Sequence, residues 1–116
     1  MIPRSLRVWF VIHFVLDMLF AIPLLFFPNV ILSFFGLPIE PVMARLVGAA
    51  LVGIGGASFL VRNKGAESFD SLLTVKILWS FSAVVGLVLS GVFALWPFVL
   101  VFSFFCCVWS YYKFRL

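Results

Sequence analysis

Long apolar stretches alternate with short polar breaks along this chain, and the breaks set the elements. Residues 8–27 (VWFVIHFVLDMLFAIPLLFF) form the first stretch. At 1.5 Å per residue, about 20 residues cover the ~30 Å hydrocarbon core of a bilayer. The stretch holds fourteen Leu, Ile, Val or Phe, worth roughly −4 to −8 kcal/mol on the insertion scale, which outweighs the ~3 kcal/mol cost of a central Asp. Pro23 removes one backbone hydrogen bond and predicts a kink in the outer third. The next fourteen residues, PNVILSFFGLPIEP, are apolar but broken by Pro28, Gly36, Pro38 and Pro41. They are too short to span, which predicts an interfacial or re-entrant segment.

Three more spans follow, at about residues 42–61, 71–90 and 92–109. Glu40-Pro41 opens the second, since proline suits a first helical turn and a carboxylate suits its positive end. The loop at 62–70 (RNKGAESFD) is the only properly hydrophilic stretch, and YYKFRL ends the chain with aromatic and basic anchors. The pattern predicts an all-α fold: an integral membrane four-helix transmembrane bundle forming one domain over residues 1–116. Arg4 and Arg7 precede the first run as in a signal peptide, but its length, its His13 and Asp17 and the lack of a small-x-small site predict a retained helix.

Composition sharpens this. The 116 residues are 66% hydrophobic and only 10% charged, where soluble domains run nearer half and a quarter. Too little polar surface exists to solvate a compact globule. The net charge of +4 does not indicate nucleic acid, because the basic residues sit at the ends of apolar runs, where lipid headgroups lie. With four spans, Arg4, Arg7, Arg62, Lys64, Lys113 and Arg115 share one face, against Arg45 on the other. Six against one predicts cytoplasmic N- and C-termini in a multi-pass protein of the cell (plasma) membrane.

Small residues predict where helices meet. Ala49, Gly53 and Ala57 recur every fourth residue in the second span, and Ser82, Gly86 and Ser90 do so in the third. Such stripes let another backbone approach closely. Arg45 lies on the first stripe, which predicts that it faces the bundle, with Glu40 as its partner in an interfacial salt bridge; an anion or headgroup contact is the alternative. Trp9, Trp96 and Trp109 fall near span ends as anchors, and Trp79 lies deeper.

Ionisable groups inside a membrane need a reason. His13 and Asp17 are spaced i, i+4 on one helix face, with Asp17 about 14 Å in from the start of its span. Lys76 enters on the third span and could reach Asp17 if those helices are neighbours. Two readings stand: mutual neutralisation that locks the register, or a proton- or substrate-handling site. Cys106 and Cys107 are adjacent, which disfavours a mutual disulfide. No HExxH, GxSxG, P-loop or GxGxxG motif occurs, and one histidine rules out a multi-histidine haem or zinc site within the chain. No catalytic residue, metal or cofactor is expected.

The proline-broken connector with Pro28 and Gly36, followed by ARLVGAALVGIGGASFL with Arg45, Gly48, Gly53 and Gly55 and then a basic loop, resembles the small four-helix DoxX-like membrane proteins over roughly the first sixty residues. That resemblance implies a four-helix bundle; the family includes accessory subunits of membrane oxidoreductases and receptor-assembly chaperones. The leading expectation is an accessory or assembly protein acting through helix–helix contacts, as a homo-oligomer or with other membrane proteins. A small proton-coupled transporter using Asp17 and a quinone- or lipid-interacting oxidoreductase subunit are the alternatives.

Overall fold

The computed structural model describes residues 2–116, and they are all-helical, with no strand among the described residues. Four helical segments of 23, 20, 25 and 21 residues are long and apolar enough to cross a membrane. They belong to two compact units, residues 3–63 and residues 64–116 with Ile2.

In the first unit, α1 runs Arg4–Phe26. It starts four residues before the expected span, because helix geometry continues through the basic flank once the apolar run has nucleated it. Pro23 lies inside α1, and the chain leaves the helix soon after, at Phe27, whose N–H donates to the Pro23 carbonyl at 2.7 Å. The proline-broken connector is a short helix, α2 (Pro28–Phe34), with proline at its first position. Its end is a Schellman motif. Leu37 N–H donates to Leu32 O (2.8 Å) and Gly36 N–H to Ser33 O (3.1 Å). That geometry places Gly36 at φ +68°, where a side chain would be strained. Helix α3 follows over Pro41–Leu60.

Helices α1 and α3 form an antiparallel pair. The buried positions of α1 are Leu6, Phe10, His13, Asp17 and Ala21; those of α3 are Ala44, Gly48, Leu51, Gly55 and Ser58. Both sets step by threes and fours, the spacing of a narrow helix–helix seam. Phe14 packs on Phe59 with ring centroids 4.5 Å apart.

In the second unit, α4 spans Ala66–Ser90 and α5 spans Trp96–Lys113, joined by Gly91 and a 3-10 turn at Phe93–Leu95. Gly91 ends α4 at φ +65°. The hydrophilic loop is shorter than expected, because Ala66–Asp70 joins α4, with Glu67 in its first turn. Likewise α5 continues past residue 109 to Lys113, whose ammonium pairs with Asp70 Oδ1 at 2.5 Å and ties the end of α5 to the start of α4. Trp79 meets Phe102 edge-on at 6.0 Å.

Candidate functional site: a buried histidine–aspartate pair

His13 and Asp17 sit one turn apart on the seam face of α1, and both are buried, at 6% and 7% exposure. Nε2 of His13 lies 3.3 Å from Oδ1 of Asp17. A carboxylate in an apolar setting is costly unless it is paired or hydrogen-bonded, and the imidazole supplies a donor from within the same helix. Such a pair holds a proton between two heteroatoms and can give or take one, which is the general chemistry of intramembrane relays.

Space for the carboxylate comes from α3. A β-carbon built on Gly55 would stand 2.7 Å from Cβ and 2.9 Å from Oδ2 of Asp17. Two turns away, a β-carbon on Gly48 would meet the Ala21 carbonyl oxygen and the Leu25 side chain at 3.1 Å each. Contact, not backbone angle, demands glycine at position 55, while at position 48 a side chain would need Ala21 and Leu25 to give by a few tenths of an ångström. Gly55 and Gly48 are therefore close-packed neighbours of α1, and neither lies on the expected stripe.

The expected stripe corrects accordingly. Ala49 and Gly53 are exposed and Ala57 is half-buried, and a β-carbon on Gly53 would meet nothing within 4 Å. Within this hairpin the seam runs through Gly48 and Gly55, on the face of α3 about half a turn round from Ala49, Gly53 and Ala57. Ser82, Gly86 and Ser90 on α4 are likewise exposed. Ser90 returns its hydroxyl to the Gly86 carbonyl at 2.8 Å, and open space surrounds Gly86.

The expected Glu40–Arg45 salt bridge is absent among the described residues. Arg45 is exposed and its Nε donates to the Leu25 carbonyl at 3.0 Å. Leu25 lies in the last turn of α1, where carbonyls have no intrahelical partner, and this acceptor, not the Glu40 carboxylate, takes the Arg45 Nε–H. At the other end of the pair, Arg7 Nη1 donates to the Arg62 carbonyl at 2.6 Å. Arg62 Nη1 donates to Phe59 O at 2.6 Å, with its guanidinium 3.7 Å above the Phe59 ring. Cations at helix C-terminal ends complement the backbone dipole. Each helix thus lends an arginine to the C-terminal end of its neighbour, and the seam with His13 and Asp17 lies between the two latches.

Lys76 belongs to the second unit. It is fully buried, and its Nζ lies 4.6 Å from the centroid of the Trp109 ring, a cation–π distance. Trp109 is itself buried and stacks on Phe105 at 5.6 Å. It is therefore a packing residue and not the interfacial anchor expected from its place near a span end: the i, i+4 step from Phe105 keeps it on the same helix face. Trp96, by contrast, is exposed. Ser58 and Ser80 are buried hydroxyls that donate to carbonyls one turn back, Ile54 O (2.9 Å) and Lys76 O (2.7 Å), as helices in apolar surroundings do. Among the described residues no group of three or more His, Cys, Asp or Glu is placed to hold a metal.

Comparison with protein-family models, with curated proteins and with solved structures gave no match.

Proposed function

We propose that this chain is a small multi-pass membrane protein that acts as an accessory or assembly subunit, engaging other membrane helices, or a second copy of itself, through the open small-residue face of α3. The observation that carries this is the division of labour among the α3 glycines. Gly48 and Gly55 are used up against α1, whereas open space surrounds Gly53 and Gly56. In lipid, close backbone approach is a main source of helix association, and a face of Ala49, Gly53 and Ala57 offers it. The resemblance to DoxX-like proteins, which rests on Arg45, Gly48, Gly53 and Gly55 with Pro28 and Gly36 upstream, favours an accessory role. Lysine and arginine placement favours cytoplasmic termini in the plasma membrane. Affinity capture from mild detergent should recover a stoichiometric membrane partner or a defined homo-oligomer; a strictly monomeric, partnerless protein would overturn the proposal.

A second reading, a small proton-coupled carrier, is favoured by one observation: the buried His13–Asp17 pair, a proton-holding group within an apolar helix. Proteoliposomes decide it. Asp17→Asn should abolish solute-coupled proton uptake if the chain is a carrier, and should change nothing if no such flux exists.

A further inference from the structure

A cavity of about 310 Å³ opens where α1 ends, α2 begins and α3 starts. Its wall is Phe26, Phe27, Val30 and Pro41, with Asn29 and Arg45 as its polar groups. We infer that this cavity is a binding site for an anionic phospholipid, with the headgroup phosphate on Arg45 and the upper acyl chain against Phe26, Phe27 and Val30.

Three observations support this. Arg45 is committed to the chain only through Nε, which holds the Leu25 carbonyl at 3.0 Å. This fixes the plane of the guanidinium and leaves the two Nη groups as a preset fork, the geometry that binds phosphate through two parallel hydrogen bonds. Arg45 is also the only charged side chain on the cavity wall, so an anion there meets a single cation in apolar surroundings that strengthen the attraction. Finally, the flank is apolar and open: Phe26, Phe27 and Val30 are each more than 60% exposed, a surface that acyl chains cover and water does not. Arg45 is the fifth residue of α3, about 6 Å along the helix, close to the end of that apolar segment. The neighbouring carboxylate, Glu40, is exposed and off the cavity wall.

The site rests on the membrane reading but on no particular partner of α3. The test is lipid retention by native mass spectrometry, comparing phosphatidylglycerol with phosphatidylcholine of the same chains and with inorganic phosphate alone. Alkaline extraction from membranes is run beside it, so that failure to insert is scored separately. The unmodified protein should bind one phosphatidylglycerol about tenfold or more tightly than phosphatidylcholine, the scale of a charge-assisted pair. Arg45→Gln should erase that preference, and Val30→Trp, which fills the cavity and leaves Arg45 in place, should erase binding. A phosphatidylglycerol carrying a photoreactive headgroup should label the unmodified chain between residues 26 and 45. Equal retention of both lipids, a preference that survives both substitutions, labelling elsewhere, or phosphate binding as tightly as the lipid would each overturn the site.

Discussion

Asp17 occupies the volume that a side chain on Gly55 would need: the absent β-carbon of Gly55 falls 2.7 Å from Cβ of Asp17. The carboxylate is therefore held from two directions, by the His13 imidazole along α1 and by the bare backbone of α3 across the seam. Gly55→Ala should destabilise the protein by about 1–3 kcal/mol, as overpacking of a tight contact does, whereas Gly53→Ala, in open space, should cost less than about 1 kcal/mol, with Ala the better helix former. Reversible unfolding in mixed micelles measures both.

Removing the imidazole should cost more than removing the charge it faces. His13→Ala leaves Asp17 with one hydrogen-bonding partner fewer, a loss of roughly 1–3 kcal/mol. In an Asp17→Asn background the same substitution should cost less. A double-mutant cycle reads the difference as coupling of about 0.5 kcal/mol or more; additive effects would show that the two side chains do not interact.

Arg7 and Arg45 close opposite ends of the α1–α3 pair. Their acceptors, the carbonyls of Arg62 and Leu25, differ by the length of a span, about 27 Å along α1 from Arg7 to Leu25. Arg7→Ala and Arg45→Ala should each cost about 1 kcal/mol, since both guanidinium groups are at least partly exposed. Together they should add, as distant sites do. Thermal melts of the two single variants and the double variant test the additivity.

Trp109 gives Lys76 an aromatic face. Trp109→Phe keeps a weaker face and should cost about 1 kcal/mol, while Trp109→Ala opens a void and should cost about 3–5 kcal/mol. Equal losses for the two would mean that volume alone matters there.

Much of this was legible in the residues. Four apolar runs gave four helices, because a 20-residue run without strand alternation has few other solutions. The i, i+4 step from His13 to Asp17 is enough to join them. Helix ends were less legible: α4 takes in Ala66–Asp70 and α5 continues to Lys113, since hydropathy marks where lipid stops and not where hydrogen bonding stops. The seam of α3 lies on the face opposite the expected stripe. Small residues lie all around that helix, so their spacing selects no face; the choice depends on what α1 presents, the Asp17 carboxylate opposite Gly55 and the Ala21 carbonyl opposite Gly48. Arg45 was misassigned for a similar reason, because an orphan carbonyl at a helix end is invisible in a sequence of side chains.

Site-specific photo-crosslinking in native membranes tests the proposed role of α3 most directly, with a benzophenone side chain placed in turn at positions 49, 53 and 57 and, as controls, at the exposed positions 47 and 52, which lie off that face. The account predicts a discrete crosslinked species, a partner protein or a dimer of this chain, from the first three positions and lipid adducts alone from the controls. Only lipid adducts at every position, in a chain that still resists alkaline extraction, would contradict it.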